Sequence, residues 1–230
     1  MDRICPRCGS DDYEKAGSIL AARGYVKRYK CTDCDKKFHD SLKLQPIVEK
    51  EGYWDTETSQ AGRGAGNFGI LYTWAIRDRT TKKVAHDYMR QRVRDEEKRV
   101  LTSMIEEMRK YDRLYTWYGT FHDVPISRSR AEYYGLDFPG YQELLHTDLY
   151  FAFRGKFKLH SNKQDSAAVF FGMPPQEYKL APSVWVDALF NDTFPKSIRH
   201  IDKHCVEDVA QTDWIHERIE KYLAGTRRGL

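Results

Sequence analysis

The chain has 230 residues, of which 40% are hydrophobic, and a formal net charge of +4. That length buries one full core with room for a small appendage, and no apolar run approaches the roughly 20 residues of a membrane-spanning helix. Residues 1–5 lack the apolar stretch of a secretory leader, so the expectation is a cytoplasmic protein.

The charge is uneven. Residues 1–45 carry ten Lys/Arg against seven Asp/Glu, and the remainder 28 against 27. The basic front end favours an anionic partner, although ordinary solubilising charge produces the same balance. Four of the five cysteines also fall in the first 34 residues. They form two Cys-x-x-Cys pairs, Cys5-Pro6-Arg7-Cys8 and Cys31-Thr32-Asp33-Cys34. In an intracellular chain such pairs point to metal rather than disulfides, and four thiolates from two knuckles make a tetrahedral zinc site. Zinc supplies folding energy that a piece of about 40 residues cannot draw from its own core. Between the pairs, residues 25–30 alternate apolar and basic side chains, as a half-exposed strand does, and Phe38 is placed to cap a miniature core. The piece resembles the zinc ribbons at the front of many transposase-like and phage DNA-handling proteins. Its Arg23, Lys27, Arg28, Lys36 and Lys37 are candidate phosphate contacts; a ribbon that only mediates protein contacts is the competing reading. The ribbon is assigned to residues 1–42. Residues 39–51, polar and containing Gln45-Pro46, are the expected linker to a second domain at 50–225.

That domain opens on Gly52-Tyr53-Trp54-Asp55-Thr56-Glu57-Thr58. Aromatic and β-branched residues favour a strand, and on a strand Asp55 and Glu57 share a face, which suits acids that hold a divalent metal together. The glycine-rich stretch after it, residues 59–66, superficially suggests a phosphate-cradling loop. A dinucleotide fingerprint, however, needs a helix next, and residues 68–76 read as another strand. A mobile hairpin loop is the better reading; the second is a backbone approach to a nucleic-acid strand, with Arg63 near a phosphate.

A third strand is expected around residues 84–89, completing an antiparallel meander. An amphipathic helix follows at 94–110, with Val100, Leu101, Met104, Ile105 and Met108 on one face. Residues 113–118 read as a strand, which makes an α/β layer protein with a mixed sheet. Asp123 stands just past that strand, where ligands bind in open α/β sheets. It also fits as the N-cap of a helix begun by Val124-Pro125-Ile126 and carrying Arg128 and Arg130. Beyond His146-Thr147-Asp148 and the basic run Arg154-Gly155-Lys156-Phe157-Lys158-Leu159-His160, short helices are expected at 164–171 and 184–190. The Pro- and aromatic-rich segment 171–196 has no clear pattern. A long amphipathic helix at 197–223 closes the chain, with His204 and Asp208 one turn apart at the edge of its apolar stripe and Cys205 within it.

Clustered carboxylates repel and are costly to bury unless cations neutralise them. Two divalent ions about 3.5–4 Å apart do so and stabilise both oxygens of an in-line phosphoryl displacement. Oxygen ligands favour Mg²⁺ or Mn²⁺. A neutral His204 nearby is a candidate general base.

Three segments, Trp54-Asp55-Thr56-Glu57-Thr58, Tyr118-Gly119-Thr120-Phe121-His122-Asp123-Val124-Pro125 and His204-Cys205-Val206-Glu207-Asp208-Val209, stand in the order of the three exonuclease motifs. The chain resembles the DEDD 3′–5′ exonucleases of the ribonuclease H-like superfamily, in particular a phage and archaeal branch. The resemblance spans about residues 50–222. It implies a ribonuclease H-like mixed sheet flanked by helices, with Asp55, Glu57, Asp123 and Asp208 as ligands of two Mg²⁺ or Mn²⁺, and removal of nucleotides from single-stranded 3′ ends, DNA over RNA. Arg63, Lys27, Arg28 and Arg128 are candidate nucleic-acid contacts. Two departures matter. Gly119 and Thr120 stand where the second motif often has Asn, and His-x3-Asp replaces the usual Tyr-x3-Asp or His-x4-Asp. Asp148 matches an Asp-Leu-Tyr segment of the branch and reads as a supporting residue. A transposase-type strand-transfer enzyme, an endonuclease and a non-catalytic nucleic-acid-binding module are the alternatives.

Overall fold

The computed structural model describes residues 4–21, 24–39, 49–59, 69–140 and 143–223. Most of the expected linker at 39–51, residues 40–48, and the loop carrying Arg63 lie outside these residues, as does Arg23, and Glu51 at the linker's end already belongs to a strand. The chain divides into two compact units, Met1–Val48 and Glu49–Leu230.

The first unit is a three-stranded antiparallel sheet of β1 (Tyr13–Ala21), β2 (Gly24–Cys31) and β3 (Lys37–His39). The two Cys-x-x-Cys segments are equivalent turns. Cys5 N–H donates to Ser10 O and Cys31 N–H to Lys36 O, while Gly9 and Asp35, each just after its second cysteine, donate back to Cys5 O and Cys31 O. Both residues are left-handed, at φ 77° and 60°, which closes the turn and aims both sulfurs inward. Tyr13, Tyr29 and Phe38 form the expected miniature core, with ring centroids 5.2–6.2 Å apart.

The second unit is a five-stranded mixed sheet in the order β6-β5-β4-β7-β8. β4 (Glu51–Thr58), β5 (Leu71–Asp78) and β6 (Val84–Tyr88) form the antiparallel meander. β7 (Arg113–Thr116) then runs parallel to β4, and β8 (Leu145–Asp148) parallel to β7. The connecting helices are α1 (Arg94–Met108) and α2 (Asp123–Tyr134). After β8 come α3 (Leu149–Arg154), α4 (Gln164–Phe170), α5 (Pro182–Asp187) and the long α6 (Phe194–Ile219).

The period of two along each strand separates two cores. Trp54, Trp74, Ile76 and Leu114 pack against Met104 and Met108 of α1 and Val124 of α2 on one face. Their neighbours Tyr53, Ala75 and Tyr115 pack with Leu149, Phe153 and the later turns of α6, Cys205, Val209, Ile215 and Ile219, on the other. Burying an aromatic such as Tyr53 or Trp54 contributes about 2–3 kcal/mol, so β4 is anchored from both sides and its acids ride on a rigid element.

Several boundaries differ from expectation. The strand expected to reach Tyr118 ends at Thr116, because Tyr118 turns the chain with φ 66°. β8 is four residues, three of them polar, too short to carry an alternation signal. The closing helix starts earlier, at Phe194, and ends at Ile219, with Pro195 in its first turn. No described helix is long and apolar enough to cross a membrane.

Candidate metal centre

The acids come together from three elements. Asp55 and Glu57 lie on the β4 face covered by α6, where Cys205 Sγ sits 3.5 Å from the Asp55 carbonyl oxygen. On α6, His204 and Asp208 are one turn apart. His204 Nε2 stands 3.2 Å from Asp208 Oδ2 and 3.6 Å from Glu57 Oε1, and one ligand atom from each of these three residues falls within 4.8 Å of the others.

Asp123 arrives by a different route. It is the first residue of α2 and does not serve as the plain N-cap that its position allows. Its Oδ1 accepts from the backbone N–H of Thr56 at 3.0 Å and from Thr56 Oγ1 at 2.5 Å. The β4–β7 ladder pairs residues 51–53 with 113–115. Three residues further on, the Thr56 N–H is bonded by the carboxylate instead, which pins the start of α2 to the strand between Asp55 and Glu57.

Electrostatics match a site built for cations. Burial first, then the Asp208, Asp123 and Glu57 charges, pushes the Asp55 carboxyl well above the ordinary range. Burial and the Asp208 and Asp123 charges do the same to Glu57. Asp123 is raised by burial. Asp208 is pushed up by burial to about 6, although His204 and Gln176 both pull it down. Asp55 Oδ2 is buried with no hydrogen-bond partner, a costly state for a carboxylate that a bound cation relieves. Hard oxygen donors, a single imidazole and an orphaned carboxylate oxygen fit Mg²⁺ or Mn²⁺.

The surroundings were invisible to pattern reading. Residues 176–179, in the segment without a clear pattern, run as a strap along α6. Glu207 accepts from the backbone N–H groups of Glu177 and Tyr178 at 3.2 and 3.0 Å. His204 Nδ1–H donates to Tyr178 O at 2.6 Å, and Gln176 Nε2 donates to Asp208 Oδ1 at 2.5 Å. With Nδ1–H committed to a carbonyl, Nε2 is the ring nitrogen that faces Glu57 and Asp208. Asp148 is a clamp. Its carboxylate accepts from the N–H groups of Tyr118, Thr120 and Tyr150 at 2.9–3.0 Å, holding the loop that leads to Asp123. Within that loop a Cβ on Gly119 would meet Thr116 Oγ1 at 2.4 Å, so a larger residue such as Asn has no room there.

In the first unit, Cys5 Sγ lies 3.6 Å from Cys34 Sγ, and Cys8 Sγ 3.6 Å from Cys31 Sγ, with all four sulfurs within 4.8 Å. A tetrahedral zinc with bonds of about 2.3 Å separates its sulfurs by about 3.8 Å, so the four thiols fit zinc. Lys27 is exposed on β2 and Arg28 is partly tied down, donating to Ala16 O at 3.2 Å. Arg128 is exposed on α2.

A family model described as "RNase_H superfamily" matches residues 52–219. The chain belongs to the RNase H superfamily. The mixed sheet of the RNase H-like unit agrees with that membership. The family B DNA polymerase from the hyperthermophilic archaeon Pyrobaculum calidifontis is a similar solved structure, at TM-score 0.61 and 14% identity, covering 92% of this chain. At that identity the likeness concerns the fold, and this chain spans only 28% of the polymerase chain. No curated protein matches.

Proposed function

We propose that this protein is a metal-dependent nuclease that removes nucleotides from the 3′ end of a nucleic-acid strand, with DNA favoured over RNA and the zinc-binding first unit aiding strand capture. The observation that carries the reading is the meeting of Glu57, His204 and Asp208 within 4.8 Å, beside Asp55 and Asp123, whose charges couple to theirs, with an Asp55 carboxylate oxygen buried and unpaired. Four carboxylates crowded at such cost are hard to account for as packing.

These four acids would hold two Mg²⁺ or Mn²⁺. Once bound, such ions neutralise the acids and lend Lewis acidity to both oxygens of an in-line phosphodiester displacement. His204 does the proton chemistry. Its Nε2 accepts a proton from the attacking water as the water oxygen bonds to phosphorus. The bond from phosphorus to the upstream 3′ oxygen breaks, that oxygen takes a proton from solvent to become the new 3′ hydroxyl, and a nucleoside 5′-monophosphate leaves. Gln176, donating to Asp208 Oδ1, holds that carboxylate in one orientation.

The test is release of mononucleotides from a 3′-labelled single strand with Mg²⁺ or Mn²⁺, run in parallel on DNA and RNA, with a circular single strand to detect internal cleavage. The wild type should shorten the linear strand stepwise and leave the circle intact, and Asp55→Ala and Asp208→Ala should leave both strands uncut. A wild type no faster than those variants sinks the enzyme reading, and cleavage of the circle sinks the exonuclease part.

A further inference from the structure

The chemistry above leaves unused the rings before Asp123 and the basic run after α3. Tyr118, Phe121 and Phe151 are 44%, 64% and 38% exposed. Their ring centroids lie 5.6–6.0 Å from one another, so three aromatic side chains form one continuous patch in solvent. They come from two elements, the loop between β7 and α2 and helix α3, and Asp148 welds the two together through the N–H groups of Tyr118, Thr120 and Tyr150. The loop is tight: Phe121 N–H donates to Tyr118 O at 3.2 Å and Val124 N–H to Gly119 O at 2.9 Å. The patch therefore stands on the same turn that carries Asp123. Tyr118 holds its ring there at φ 66°, a conformation that a bulky residue adopts at a cost, and such costs collect at functional positions.

Charge continues the patch. Arg154 follows Phe151 by three residues on α3, and hence lies on the same helical face. Lys156 and Lys158 come next, and all three are exposed. Residues 149–164 contain no Asp or Glu, and among the described residues none of these three cations takes part in an ion pair. Exposed rings beside unpaired cations match one ligand chemistry, the alternating bases and phosphates of an unpaired strand. A duplex hides the base faces that such rings would stack on.

We propose that Tyr118, Phe121 and Phe151, continued by Arg154, Lys156 and Lys158, form a track for single-stranded nucleic acid, its bases stacked on the rings and its phosphates on the cations, leading to the turn of Asp123. The track rests on the nuclease reading and assigns the residues that hold its unpaired end over several nucleotides.

Fluorescence anisotropy of labelled oligothymidylate, oligouridylate and a blunt DNA duplex, with the full zinc-loaded chain and no added divalent ion, tests it. Wild type should bind the single strands tighter than the duplex. Combined Tyr118→Ala and Phe151→Ala should weaken single-strand binding about tenfold or more and barely change duplex binding. Replacing Arg154, Lys156 and Lys158 with Gln should flatten the dependence of log K on log salt by about 2. Phe151→Leu keeps the apolar contact but not the stacking face, and should weaken binding at an unchanged melting temperature, which separates stacking from misfolding. The tighter of the two single-strand arms names the sugar, and either supports the track. Single-strand affinity indifferent to the rings and cations overturns it, as does a wild type that binds no single strand. Strand digestion that needs Asp55 but ignores the rings overturns the track alone. Ring-dependent binding without digestion overturns the nuclease reading alone.

Discussion

The two candidate metal sites are built on opposite plans. In the first unit, each pair of cysteines sits in one four-residue turn closed by its own backbone hydrogen bonds, and two sulfur–sulfur approaches of 3.6 Å bring the turns together. In the RNase H-like unit the acids come from β4, α2 and α6, up to 153 positions apart between Asp55 and Asp208, and meet only because the sheet and its helices are already in place. With zinc bound, the first site would be a condition of folding, whereas the second is a consequence of it. Metal removal should therefore do different things to the two units.

Breaking a knuckle should have the largest effect. If the four cysteines hold zinc, so small a core leans on it, and Cys31→Ser should abolish stoichiometric zinc and the protease resistance of the first unit. The melting transition of the RNase H-like unit should stay where it is. Metal analysis with limited proteolysis checks both.

Breaking the acid set should leave folding intact and remove chemistry. Asp55→Ala or Asp208→Ala should lower the rate of metal-dependent strand digestion by about a thousandfold, since cation stabilisation amounts to several kcal/mol. His204→Gln should cost about a hundredfold in kcat if Nε2 accepts the proton. The strap comes next. Glu207→Ala frees the N–H groups of Glu177 and Tyr178 and loosens the carbonyl that orients His204, for a loss of about tenfold in activity.

The smallest effect is on stability, and its sign separates the sites further. Burial raises Asp208 to about 6, so between an ordinary carboxylate value of about 4 and pH 6 the folded state keeps a proton that the unfolded chain releases. Stability is then full below that window and falls as pH rises through it, by on the order of 1–3 kcal/mol. Without divalent ions the melting temperature should drop by several degrees from pH 4 to 6.5. Mg²⁺ or Mn²⁺, which binds the ionised carboxylates, should flatten the curve, and so should Asp208→Asn.

This contrast also governs what the sequence displays. Cys5, Cys8, Cys31 and Cys34 declare their site because spacing within a turn is the geometry. β4 is readable from Tyr53, Trp54 and Thr56, and α6 from the steps of its apolar residues. The contacts that finish the acid site are hidden for a physical reason: their partners are backbone atoms. Nothing in the letters shows that the Thr56 N–H lies beyond the β4–β7 ladder and needs the Asp123 carboxylate, or that Tyr178 offers its carbonyl to His204. Gln176 sits in a segment with no periodicity, so only the tertiary fold brings it to Asp208. β8 escaped because four residues cannot show an alternation. The shared function of Asp148 and Gly119, fixing one turn, likewise emerges only once the loop is seen.

The most direct test of the central claim is anomalous diffraction from crystals equilibrated with Mn²⁺. The account predicts manganese peaks at the carboxylates of Asp55, Glu57, Asp123 and Asp208, lost in Asp55→Ala. Crystals of the folded wild type with no manganese at these four acids would contradict it.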